Sequence, residues 1–165
     1  MATVYLSLGS NIDREKHLSA GLDALVAAFG DLRMSQVYES EAVGFDGDNF
    51  YNLVAAIETD LSVGELALRL RHIEDDNGRL RGGPKFSART LDIDILTYDD
   101  LTGEVDGVKL PRGEILKNAF VLLPLSELAP DTQHPVAGKT YQQLWEEYDQ
   151  AAQKLWPVTF DWPAA

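Results

Sequence analysis

The chain contains no cysteine, so no disulfide framework can hold it together. It is also poor in positive charge: 14 Lys and Arg stand against 27 Asp and Glu, a formal net charge of −13. A field of that sign repels nucleic acid and anionic membranes, which excludes both as partners. No apolar run approaches the roughly 20 residues of a membrane-spanning helix. No charged-then-apolar leader opens the chain, and the expectation is a soluble cytoplasmic protein. Internal repeats and low-complexity tracts are absent as well. What is present is 45% apolar residues in a length of 165, enough to bury one core. The expectation is a single domain over 1–165, with a surface tail from about Trp156 where two prolines fall. One core accounts for the apolar positions, so a monomer is expected. The scarce cations are not scattered evenly: Arg69, Arg71, Arg79, Arg81, Lys85 and Arg89 lie close together mid-chain.

Val4, Leu6 and Leu8 alternate with Tyr5 and Ser7 as in a strand, which Gly9-Ser10-Asn11 ends. Leu18, Leu22, Leu25 and Phe29 recur at helical spacing after a polar start at Asn11 or Asp13, and Gly30 stops the helix. Strands are predicted around Met34 to Tyr38 and from Phe50 to Glu58, joined by the Gly- and Asp-rich stretch 44–48. Ser62 with Glu65 forms a capping box, opening a helix whose stripe is Val63, Leu66, Leu70 and Ile73. Arg81-Gly82-Gly83-Pro84 cannot continue that helix and makes a cationic loop able to close over a ligand. Leu91 to Tyr98 alternates again, a short strand follows near Val108 to Leu110, and Tyr141, Leu144, Trp145 and Tyr148 fit a last amphipathic helix. Strand, helix, strand, strand, helix, strand is the ferredoxin-like order: an α+β fold with an antiparallel sheet and helices packed on one face of it.

Within Arg89-Thr90-Leu91-Asp92-Ile93-Asp94-Ile95-Leu96, residues two apart share a face of the strand. Asp92 and Asp94 therefore project together while Leu91, Ile93 and Ile95 pack behind them. Paired carboxylates repel unless a cation sits between them, and their oxygens suit Mg²⁺, which keeps water and substrate phosphates as further ligands. Arg79, Arg81 and Arg89 are placed to contact phosphate oxygens. The plain alternative is a solvated strand face with surface ion pairs worth ~0–1 kcal/mol each.

The run from Arg89 to Asp94 resembles the Arg-Thr-Leu-Asp-x-Asp signature of the 6-hydroxymethyl-7,8-dihydropterin pyrophosphokinases of folate biosynthesis. The likeness extends in order over most of the chain, from Val4 to about Asp131. Leu8-Gly9-Ser10-Asn11, Tyr38 to Gly44, Phe50-Tyr51-Asn52, Ile73-Glu74 with Gly78-Arg79 and Arg81, Pro111, Phe120 to Leu125, and Glu127 to Pro130 each resemble a family segment. The resemblance implies transfer of diphosphate from ATP to the pterin hydroxymethyl group, with AMP leaving. It further implies that Asp92 and Asp94 bind two Mg²⁺ ions and that Arg79 and Arg89 contact phosphate during transfer. Asn52 and the backbone near Ser40 and Val43 would hydrogen-bond the pterin, with Phe50 and Phe120 stacked on either side of its ring. Glu74, Arg81, Phe86 and Arg112 fall on the nucleotide side, Phe86 where the family usually has Trp. As plain alternatives, Phe120 and Phe50 could be core, and Asn52 a ladder-satisfying amide. His17, His72 and His134 are assigned no role.

Departures cluster at Pro111-Arg112-Gly113 and Asn118, where the family places His after the proline and Arg before the aromatic. An arginine at 112 offers a cation to phosphate without the pH dependence of histidine. Glu41 stands where the family has Pro. Two other readings stay open: the same chemistry on a related pterin, or a pterin- and nucleotide-binding relative with weak turnover.

Overall fold

The alternation that opens the chain builds the central strand of a sheet. In the computed structural model, which describes residues 1–41, 49–78 and 90–162, β1 (Ala2–Ser10) pairs antiparallel with β4 (Phe50–Thr59) on one side and β5 (Asp92–Tyr98) on the other. β3 (Val37–Ser40) continues the sheet beyond β4, and β2 (Arg33–Met34) pairs with β4 further along. The predicted strand from Met34 to Tyr38 is thus interrupted. Ser35 breaks it by accepting the Val54 amide on its hydroxyl at 3.0 Å, which satisfies the ladder where pairing lapses.

α1 (Arg14–Phe29) and α2 (Val63–Asp76) connect the strands as expected. Gly30, at φ 82°, supplies the left-handed residue that ends α1. The capping box of Ser62 and Glu65 is formed in both directions. The order β5-β1-β4-β3 with these two crossover helices is a ferredoxin-like α+β fold. Leu18, Leu22 and Leu25 of α1 and Leu66, Leu70 and Ile73 of α2 bury one face of the sheet, formed by Val4, Leu6, Leu8, Leu53, Ala55, Ile57, Ile93 and Ile95. Each such leucine, fully removed from water, contributes roughly 1.5–3 kcal/mol.

The opposite face is covered as well, so the expectation of helices on one side needs correction. After the hairpin β6 (Gly103–Val105) and β7 (Val108–Leu110), the chain forms α3 (Glu114–Lys117), α4 (Ala119–Leu128) and α5 (Tyr141–Glu147). Ile115, Val121, Leu122, Leu125 and Tyr141 pack on Tyr5, Val54, Ala56 and Leu96. The surface tail is also corrected. β8 (Leu155–Val158) pairs with β3 as the last strand of the sheet, and Trp162 beyond it donates its indole N–H to Asp23 of α1 at 2.9 Å. Pro157 is tolerated because an edge strand leaves one side without partners, where a missing N–H costs nothing.

One irregularity in β5 places the site. Leu6 lies opposite Ile95 and Tyr5 opposite Thr97, so Leu96 is an extra residue. At this bulge Leu96 joins the core of the α4 side, and Thr97 on the same side hydrogen-bonds the Tyr141 hydroxyl. Before the bulge, alternation is strict.

Candidate active site

Register puts a polar row across the sheet on the face that carries α3 to α5. Gly9 is opposite Asp92 in β5 and Asn52 in β4, and Asn52 is opposite Tyr38 in β3. Ser7 with Asp94, and Ser40 with Phe50, make the adjoining rows. Asp92, Asp94, Ser40, Phe50 and Asn52 therefore share one face. The Asn52 amide donates to the Ser40 hydroxyl at 2.7 Å, a buried bond that orients the amide. Gly9 keeps the floor between Asp92 and Asn52 open: a Cβ there would lie 3.0 Å from Asn52 Oδ1. In sequence Gly9 marks only the end of the first strand; its role here follows from the register of β1 with β4 and β5, which spacing along the chain does not show.

β5 is the edge strand on this side, and the cleft along its free edge is about 120 Å³, lined by residues including Leu70, Glu74, Asp94, Val108 and Arg112. Glu74 reaches from α2 to accept the Ile93 amide at 2.8 Å. The carboxylate thus satisfies an edge N–H between the two aspartates and is itself buried. Arg112 lies across the cleft, 3.5 Å from Asp94 and 3.0 Å from Glu114. Its own amide donates to the Leu96 carbonyl at 2.9 Å, which ties the segment after Pro111 to the bulge. Glu114 was not singled out from sequence, although opposite charge two residues from Arg112 was visible.

Negative charge is crowded at this corner. Asp94 keeps 30% of its side chain exposed, yet its carboxyl is pushed from the ordinary 3.8 to about 7. Desolvation is the largest cause, followed by the charge of Asp92; Arg112 opposes them, and Glu74 and Glu114 add to the rise. A divalent cation fits this donor set, since it would neutralise two oxygen donors that otherwise repel. Among the described residues no group of three or more His, Asp or Glu gathers into a closed metal cage, so a cation held here would draw its other ligands from water and phosphate.

Phe120 is the second residue of α4 and half-buried against the apolar cluster of that side. α4 is fastened to the strand row by Glu127, which accepts the Tyr38 hydroxyl at 2.7 Å. Val43, Arg79, Arg81, Phe86 and Arg89 lie outside the described residues. The described site residues are thus brought together on one face, with Glu74 and Arg112 at its edge. His134, given no role from sequence, is buried; its Nδ1 accepts the amides of Val136 and Ala137 at 3.1 and 3.0 Å. This pins the turn before α5, away from the carboxylate pair.

Fold and site together define a ferredoxin-like domain with a carboxylate-pair centre at one open end of its sheet. Comparison with known families narrows this. The model of the 7,8-dihydro-6-hydroxymethylpterin-pyrophosphokinase (HPPK) family matches residues 5–130. The 2-amino-4-hydroxy-6-hydroxymethyldihydropteridine pyrophosphokinase of Aquifex aeolicus is 36% identical over 149 residues, covering 89% of this chain and 92% of that protein. The enzyme of the same name from Pseudomonas aeruginosa is 36% identical over 136 residues, covering 80% and 83%. Among solved structures, a Plasmodium falciparum HPPK-DHPS chain superposes with a TM-score of 0.68 at 15% identity. That match covers 90% of this chain and 44% of the Plasmodium chain, and it speaks to the fold. The chain belongs to the HPPK family.

Proposed function

We propose that the protein transfers the diphosphate of ATP to the hydroxymethyl group of 6-hydroxymethyl-7,8-dihydropterin, as the names of its relatives describe. The substrate oxygen attacks the β-phosphorus and a C–O–P bond forms. The bond from the β-phosphorus to the bridging oxygen breaks, AMP leaves with its electron pair, and the hydroxyl proton is released. The observation that carries this reading is the row Asp92, Gly9, Asn52, in which a carboxylate and an oriented amide flank an open floor.

In this reading Asp92 and Asp94 hold two Mg²⁺ ions with the triphosphate. The metal would supply neutralisation of phosphate charge. Asn52, oriented by Ser40, reads the pterin edge, and Phe50 and Phe120 enclose the ring by stacking. Val43 contributes backbone contacts. Arg79 and Arg89 contact the transferring phosphate, while Glu74, Arg81, Phe86 and Arg112 serve the nucleotide. Holding both substrates in line accounts for most of the rate, because a positioned bimolecular step avoids its entropy cost. We further infer one domain acting as a monomer in the cytoplasm; no helix among the described residues is long and apolar enough to cross a membrane.

The test is AMP formation by purified protein with MgATP and 6-hydroxymethyl-7,8-dihydropterin, beside an Asp92→Ala/Asp94→Ala control. Pterin-dependent AMP release that vanishes in the control is expected. Release of ADP in place of AMP, or none at all, would overturn the assignment.

A further inference from the structure

Arg14 occupies a position that local helix physics disfavours. It is the first residue of α1, preceded by Asp13 at φ 45° with no side-chain cap. A cation at a helix N-terminus faces the positive end of the macrodipole and unpaired N–H groups, an arrangement that is mildly destabilising. Its contacts point elsewhere. The guanidinium lies 3.9 Å from the centroid of the Tyr51 ring, donates from Nη1 to the Asn49 carbonyl at 3.1 Å, and stands 3.6 Å from Glu39. Asn49 closes the group by donating its amide to Glu39 at 2.9 Å. The side chains of Arg14 and Glu39 are only 29% and 20% exposed, so this set is partly withdrawn from solvent screening.

Glu39 belongs to β3 and Tyr51 to β4, and the two are directly opposite each other in register. Their neighbours Ser40 and Phe50 are the next opposed pair, with side chains on the other face, and Asn52 follows Tyr51. Arg14 therefore grips from behind the two strand ends whose front carries Ser40, Phe50 and Asn52. A planar guanidinium can stack on a ring and donate to two acceptors at once, which an ammonium cannot do.

We propose that Arg14 is a positioning residue for the pterin: by joining Glu39, Asn49 and Tyr51 it fixes the spacing of β3 and β4 at which Ser40, Phe50 and Asn52 meet the substrate. This rests on the pyrophosphokinase reading. The clamp joins β3 and β4, whereas the carboxylate pair stands on β5 beyond β1, so it acts on pterin affinity and leaves nucleotide affinity alone.

Calorimetry of wild type, Arg14→Ala, Arg14→Lys and Glu39→Gln tests this, with α,β-methylene-ATP as the inert nucleotide because its methylene replaces the bond that would break. Pterin is titrated into each protein saturated with the magnesium complex of that analogue, and the analogue is titrated separately. Arg14→Ala is expected to weaken pterin binding on the order of tenfold with analogue affinity unchanged. Arg14→Lys should recover only part of it, and Glu39→Gln should fall between. In turnover, KM for pterin should rise more than kcat falls. Equal pterin affinity in wild type and Arg14→Ala, full recovery by lysine, or equal loss of both ligands would overturn the proposal. A wild type that binds analogue but no pterin would overturn the functional reading itself, and the clamp's role with it.

Discussion

Replacing Asp94 by Asn should make the ligand-free protein more stable at pH 8. The carboxyl sits at about 7 in the folded chain, against an ordinary 3.8. At ~1.4 kcal/mol per pKa unit that difference bounds the cost of ionising Asp94 in the fold at ~4 kcal/mol. Partial exposure screens it, and the variant forfeits the Arg112 contact, so a gain of ~1–2 kcal/mol is the reasoned figure. Its pH course follows from linkage. A carboxyl raised by folding favours the folded state fully below the unfolded value, and that contribution is lost as pH rises through about 7. The two proteins should therefore agree near pH 4, diverge as pH rises toward 7, and keep a constant gap above it. Urea denaturation from pH 4 to 8.5 measures this, and for a chain of this size the melting temperature should rise by ~2–8 °C at pH 8. A variant less stable than wild type at pH 8 without ligand would refute the reasoning, because it would mean that Arg112 outweighs Asp92 and desolvation.

Glu74→Ala removes the acceptor of the Ile93 amide and should lower stability by ~1–3 kcal/mol, read from the denaturation midpoint; Glu74→Gln, which keeps an acceptor oxygen, should lose less. His134→Ala strips the acceptor from two amides and should cost a similar ~1–3 kcal/mol without altering nucleotide affinity, as calorimetry will show. Burial lowers the His134 pKa, so the stability it contributes is complete above the unfolded value of 6.5 and drains away as pH falls below it. Denaturation of wild type and variant at pH 5 and pH 7.5 should show the gap closing at the lower pH.

Much of the architecture was legible because it is written in short-range patterns. Ser62 with Glu65 opened α2, and strict alternation put Asp92 and Asp94 on one face with Ile93 and Ile95 on the other. What escaped was long-range. The first two turns of α4, Ala119 to Leu125, are apolar on every side, so no periodicity said which face the helix buries or that it covers the second side of the sheet. β8 escaped because Pro157 argues against a strand unless that strand is known to be the edge. At the site, alternation placed the two aspartates side by side, whereas Glu74 holding the Ile93 amide and Arg112 reaching Asp94 depend on approaches between elements that spacing alone does not encode.

The bulge at Leu96 divides β5 into two halves that answer to different demands. Upstream of it the chain must show two carboxylates to the open end of the sheet; downstream it must offer Thr97 to Tyr141 beneath α5. Because a strand alternates with period two, Leu96 and Thr97 can both face α4 and α5 only through this extra residue; deleting Leu96 would restore regular alternation, leaving the aspartates and Thr97 where they are and emptying the place the leucine fills in the core. The bulge is thus a packing device: it adds one buried leucine to the second core without disturbing the carboxylates upstream of it.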